Sequence, residues 1–428
     1  MKRREGGARP RIPPLPPGLV LRGGDATWEA VLRELPDPAA LPAWETLRYV
    51  RVWLAAEPAR RAGLFRGGSQ ARRELELIHQ TLDPDLSGPL AVLSALLADG
   101  SAEPGEAVWA CLCVADWALL RGARETGGLF AETAALAAPE KPGLAFMVGR
   151  MARSRGDAFA AERWLKRAAA VAWRVGEWEV YARSVNSLGN LRTEQGRLAE
   201  AKALLTRALR ATRRHNLQPL QGEIFHDLAV VAIASGHGKN ADRLVRDAFE
   251  AYRHGHPRLS ALAYDVAYHW MSEGYFTRAS FVFQALLSHF EDPPRRLQVI
   301  AALARAQGAT GEMNRFQTLW IEASQLSHLP ECQRVLAAVL LDLGRGASSL
   351  GEWEHSEEAL HAALTAAAMR GEADVLGLAR TALDRVRSRR KADTTPERIT
   401  ARVQSQADLL AREIVSLLKE TAAGRERT

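Results

Sequence analysis

The stretch NSLGNLRTEQGRLAEAKALLTRAL, Asn186 to Leu209, carries the reading of the fold. Gly189 is followed seven residues on by Gly196, and five further on by Ala201. A small residue such as Gly189 lets a second helix come close, and a glycine at the corner takes the left-handed conformation that ends a helix. Beyond the corner, Ala201, Leu205 and Ala208 fall at helical spacing and make one apolar face. The stretch therefore predicts two helices folded against each other across Gly196. Asn186 and Asn190 lie one turn apart on the first helix, each offering a donor and an acceptor.

The same frame recurs on both sides. Gly149–Gly156–Ala161 precedes it, and Ala229–Gly236–Ala241, Ala267–Gly274–Ala279, Ala304–Gly311–Phe316 and Gly344–Gly351–Ser356 follow. Successive corner glycines are 40, 40, 38, 37 and 40 residues apart. One helix pair cannot bury its apolar face alone, so units at a fixed period stack on their neighbours and share a core. Hydrophobic residues make up 47% of the 428 and aromatics only 7%, so that core is built chiefly from alanine and leucine, as close-packed helices require.

The unit resembles the tetratricopeptide repeat. Leu188, Gly189, Gly196, Ala201, Leu205 and Ala208 match its pattern, as do Val148, Gly149, Gly156, Ala161, Leu165 and Ala168. Phe316 and Ser356 stand where the family has alanine, and Arg192 and Ala152 where it has tyrosine. The resemblance implies an all-α fold, a right-handed superhelical solenoid of antiparallel helix pairs, with about six units over residues 141–370. It also implies that the first helix of each pair lines a concave face. Arg150, Arg153, Arg183, Asn186, Asn190, His226, Tyr264, Tyr268, Arg305 and Arg345 then point inward. Two asparagines suit the backbone of an extended peptide, and nearby arginines suit a carboxylate. The implied function is a non-catalytic scaffold or adaptor holding a peptide or protein segment in its groove, in its sharper form a regulatory sensor. Bacterial peptide-responsive regulators are similar, but the N-terminal helix-turn-helix that they carry is not visible before residue 140.

Charge keeps a second reading open. The net charge is +7, yet residues 141–260 hold 21 basic against 11 acidic residues, while 261–378 hold 8 against 14. Basic second-helix residues (Arg163, Lys166, Arg167; Arg207, Arg210, Arg213, Arg214; Arg243, Arg246) recur along consecutive units and could form a stripe for nucleic acid. Acidic residues intersperse and no stacking aromatics accompany them, which favours a solvated outer face.

Other chemistry finds little footing. Cys111, Cys113 and Cys332 make neither a disulfide framework nor a metal pattern and read as buried thiols. The HGH at 254–256 lacks a carboxylate or cysteine at ligand spacing, so no metal or other cofactor is expected. No phosphate-loop lysine, GxSxG or HExxH is present, and LFRGGSQ at 64–70 is a weak phosphate signal.

At the flanks, residues 1–25 are rich in Pro, Gly and Arg and are expected to be a disordered leader. Prolines occupy the place where a signal peptide would be apolar, and no apolar run reaches membrane length, so a cytoplasmic protein is expected. Residues 26–140 read as a helical extension with a degenerate repeat turning at Gly122. Residues 371–390 read as a capping helix. In 391–428, Val403, Ala407, Leu410, Ile414 and Leu417 form a coiled-coil seam that either pairs with a second copy or folds back on the array.

Overall fold

The computed structural model of the chain describes residues 11–15, 24–64, 83–98, 104–236, 238–252, 256–391, 393 and 401–425. Residues 65–82, which include most of LFRGGSQ, and His254 with Gly255 lie outside the described residues. Among the described residues are twenty α-helices, one 3₁₀ turn and no strand. The fold is an all-α repeat of helix pairs, as the periodicity predicts.

The chain divides into two compact units, residues 1–220 and 221–428. The array expected as one run over 141–370 is therefore shared between two bodies.

In the first unit, α1 (Gly24–Glu34), α2 (Ala40–Ala55), α3 (Pro58–Leu64), α4 (Pro84–Ala98), α5 (Pro104–Leu120) and α6 (Arg124–Ala137) form the extension. Two repeat pairs follow: α7 (Pro142–Ser154) with α8 (Ala158–Val175), and α9 (Trp178–Glu194) with α10 (Leu198–Arg214). Gly122 turns α5 into α6 with a φ of 81°. Glu34 accepts the backbone N–H groups of Glu125 and Thr126, both at 2.8 Å, and so caps α6 with a negative charge at its positive end. Arg51 is buried, and it donates to Thr133 Oγ1 and to the Glu132 carboxylate, both at 2.9 Å. One continuous apolar core runs from Val31 through Trp117 to Trp164 and Ala168, so the extension and the first repeat are packed as one body.

Part of the leader departs from expectation. Residues 11–15 lie against this unit: Leu15 packs on the core, and Arg167 Nη1 donates to the Pro13 carbonyl at 2.7 Å. Arg167 is buried, and a buried guanidinium needs acceptors, which the Pro13 and Pro139 carbonyls provide. Residues 1–10 and 16–23 lie outside the described residues.

The second unit contains all but the first three residues of α11 (Gln218–Ala234), with α12 (Gly238–Tyr252), α13 (Leu259–Ser272) and α14 (Phe276–Leu286), α15 (Pro293–Thr310) and α16 (Met313–Ser327). A 3₁₀ turn (Pro330–Arg334) leads to α17 (Leu336–Leu350) and α18 (Trp353–Arg370), then to the cap α19 (Ala373–Arg387) and to α20 (Ala401–Arg425).

All six predicted corner glycines, from Gly156 to Gly351, have φ between 71° and 86°, where any side chain would be strained. Where the small residue before the corner is glycine, the close approach expected of it is present. A Cβ added to Gly189 would sit 2.6 Å from Leu205 Cδ2, one on Gly149 2.7 Å from Leu165 Cγ, and one on Gly344 2.8 Å from Leu360 Cγ. The two departures from alanine have local causes. Ser356 donates its hydroxyl to the Gly344 carbonyl at 2.7 Å, and Phe316 enters space left open by the missing side chain of Gly346.

At the C-terminus the fold-back arrangement is the one observed. Leu410, Ala411, Ile414, Val415 and Leu418 of α20 are buried, and α20 lies on α14, with Arg278 Nε donating to Asp408 Oδ1 at 2.9 Å. The buried positions step by four, as on a straight helix laid against one neighbour, so Leu418 replaces Leu417 in the seam. The side chains of Val403 and Ala407 lie outside the described residues.

Candidate functional site

Five of the ten inward residues fall in each unit. In the first, Arg150 is exposed over the Phe146 ring, Arg153 pairs with Glu194 at 2.8 Å and Arg183 with Glu179 at 3.0 Å. Asn186 is only 5% exposed and Asn190 is half-buried, so the pair is not laid open as a clamp. The repeat phase placed the two asparagines on one helix face but carried no signal for the burial of Asn186.

In the second unit, Tyr264 and Tyr268 line a cavity, and His226 and Arg305 hydrogen-bond two of its lining residues, Asp265 and Asp342. Tyr268, Arg305 and Arg345 each stand one residue after the small residue of their repeat, so successive leading helices present them to one side. α15 and α17 cross closely because a Cβ on Gly308 would run into the Gly346 carbonyl oxygen. That crossing brings Arg305 to Asp342, with Nη1 donating to Oδ1 at 3.0 Å. The Tyr268 hydroxyl donates to the same oxygen at 3.1 Å, and Tyr264 stacks on Tyr268 with ring centroids 5.9 Å apart. His226 is buried and its Nε2 lies 2.7 Å from Asp265 Oδ2. Beside this network lies a cavity of about 310 Å³, lined by Val230, Ile233, Ala338 and Val339 with Tyr264, His269 and Gln298. That size is at the lower end of small-molecule and side-chain pockets, roughly 300–1,000 Å³.

The two arginines do not stand open. Arg305 grips the carboxylate of Asp393 with both arms, Nε to Oδ2 at 2.8 Å and Nη2 to Oδ1 at 3.0 Å, and Arg345 Nη2 donates to Oδ1 as well. This corrects the expectation of free concave arginines: the acceptor comes from the chain itself, beyond α19. Burial alone would raise the Asp393 carboxyl, but the hydrogen bonds and charges of Arg305 and Arg345 outweigh it and hold it below the usual carboxylate range. At Asp342 burial prevails and pushes the carboxyl up in spite of Arg305. Burial also raises the Tyr264 and Tyr268 hydroxyls, keeping both as neutral donors, and lowers His269, keeping its ring neutral.

Asp342, Asp265 and Asp393 are the site residues that sequence reasoning missed. Asp393 had one signal, a single carboxylate inside the basic run RSRRKAD. Asp342 and Asp265 had another, each standing two residues before the small residue of its repeat.

Of the basic second-helix residues, Arg167 is buried and Lys166 pairs with Glu162 at 2.6 Å. Arg207, Arg210, Arg213, Arg214, Arg243 and Arg246 are exposed, Arg207 donating to the Tyr181 hydroxyl at 2.6 Å and lying over its ring. Of the thiols, Cys111 and Cys332 are buried and Cys113 is half-buried rather than buried. His256, the described part of HGH, stacks on Tyr252 at 4.1 Å. Among the described residues, no group of three or more His, Cys, Asp or Glu could hold a metal ion, and no helix is long and apolar enough to cross a membrane.

Neither a protein-family model nor a curated protein matches the sequence. Solved structures do. A signal transduction ATPase with numerous domains carrying a tetratricopeptide repeat sensor, from Pyrococcus horikoshii, matches 84% of this chain at 10% identity with a TM-score of 0.50. The chain spans 58% of that protein's length. The Rap conjugation gene regulator of plasmid pLS20, solved with the Phr* peptide, matches 82% of this chain and 97% of its own at 13% identity, TM-score 0.45. Pseudomonas aeruginosa pilF matches 55% of this chain and 99% of its own at 19% identity, TM-score 0.39. With its corner glycines, interlocked helix pairs and the likeness to the Pyrococcus structure, the chain has a tetratricopeptide-like helical repeat fold.

Proposed function

We propose that this protein is a non-catalytic adaptor or regulatory sensor that binds a peptide or protein segment on the leading-helix face of its second unit. The observation that carries the reading is the apolar cavity of about 310 Å³ placed directly beside the arginines. An apolar anchor next to fixed polar groups is how a short segment gains both affinity and register. Nucleic acid, through the basic second-helix residues, is the second reading.

Selection of displayed peptides on the intact protein tests this. Ala338→Trp fills the cavity from its half-buried edge, and the selected peptides are expected to bind it at least about tenfold more weakly, a loss of about 1.4 kcal/mol. Asn186→Ala/Asn190→Ala, in the first unit, is expected to capture the same peptides as wild type. Equal capture by wild type and Ala338→Trp would refute the reading. A nucleic-acid reader would instead lose about 10³–10⁵ in affinity between 50 and 200 mM salt.

A further inference from the structure

We infer that Arg305 and Arg345 form a carboxylate subsite that the chain keeps filled with its own Asp393, and that a partner bearing a carboxylate next to an apolar side chain binds by displacing it. The inference rests on the functional reading above and specifies the ligand chemistry of that site.

Charge balance comes first. Arg305 and Arg345 meet Asp342 and Asp393, two cations against two carboxylates, and Arg305 is only 2% exposed. A guanidinium so buried must keep its partners, so the subsite cannot stand empty without cost. Whatever displaces Asp393 has to bring a carboxylate of its own.

The second consideration is where the two acids sit. Asp342 belongs to α17 and is fixed in the repeat. Asp393 lies beyond α19 and outside every described helix. Release of Asp393 from the fork therefore requires no repeat helix to move, since none carries it. The fork geometry is that of a bidentate arginine–carboxylate pair, which any carboxylate of the same shape can reproduce.

The third is what lies alongside. Tyr268 and Asp342 belong both to the arginine network and to the cavity wall. A carboxylate in the fork thus places its neighbouring group at the mouth of an apolar chamber. That group is an apolar side chain, by the character of Val230, Ile233 and Val339. The carboxylate has two possible sources, a peptide C-terminus or an acidic side chain.

Asp393→Ala in the full chain opens the subsite, with N-acetyl-leucine as probe for a terminal carboxylate and N-acetyl-aspartic acid amide for a side-chain one. The variant is expected to melt below wild type. At least one probe should raise its melting temperature by several degrees at concentrations far above the dissociation constant, while wild type moves much less and chloride at equal ionic strength moves neither. In calorimetry the effective probe should bind the variant at least tenfold more tightly than wild type. Arg345→Gln, made in the Asp393→Ala background, should abolish the response. If Asp393→Ala does not fold, Asp393→Asn is read in the same way.

Equal response of wild type and variant, equal action of chloride, or response to neither probe would each overturn the inference. Failure of peptide selection together with a positive probe response would sink the functional reading and leave the subsite standing. The reverse result would sink the subsite alone.

Discussion

Arg192 stands where the repeat family has tyrosine, and its side chain explains why the first unit tolerates the exchange. It is 8% exposed and donates to Glu162 at 2.6 Å, and Lys166 meets the same carboxylate at 2.6 Å. The hydrogen bond from Arg192, helped by Lys166, outweighs burial and holds Glu162 down at about 2 against an ordinary 4.5. A carboxylate depressed in the folded state adds stability that is complete above its unfolded value and is lost as pH falls through the folded one. The contribution of Glu162 should therefore be present above pH 4.5 and vanish towards pH 2, and Glu162→Gln should flatten that part of the stability-against-pH curve in urea titrations. A second residue-scale expectation concerns Cys111, whose thiol burial pushes up to about 12. It should resist alkylation at pH 8 in the folded protein and react once urea unfolds it. The phase of the repeat singled out Tyr268, Arg305 and Arg345 as candidates, each one residue after a small position. The acids that hold them were not singled out, because a lone aspartate carries no spacing of its own and Asp393 belongs to no repeat.

Helix pairs were the most legible level, since the close approach at Gly189 and the corner at Gly196 each leave a small residue at a fixed offset. Gly189→Ala should destabilise the protein by about 1–3 kcal/mol, the usual cost of overpacking, as read from denaturant midpoints. Gly308→Ala should cost at least as much, because its Cβ would meet a backbone carbonyl on α17 rather than a side chain that can swing aside. Nothing marked Gly308 and Gly346 beforehand: they serve a crossing between repeats, which the within-repeat frame does not encode. The C-terminal helix was legible as amphipathic, but its seam could not distinguish a second copy from the chain's own α14. Arg278→Ala removes the partner of Asp408 and should speed hydrogen exchange over Ala401–Arg425, with the repeat helices unchanged.

For the molecule as a whole, the proposed binding site lies in the second unit, where two tyrosines line a cavity and two arginines adjoin it through Asp342 and Asp393. Composition and period announced the repeat class; they gave no sign that the array is divided after Leu220 or that the chain occupies its own arginine fork. Hydrogen exchange of the wild-type chain with and without a selected peptide tests this allocation most directly. The account predicts added protection over Leu259–Ser272, Pro293–Thr310 and Leu336–Leu350. Protection confined to Pro142–Ser154 and Trp178–Glu194 would contradict it.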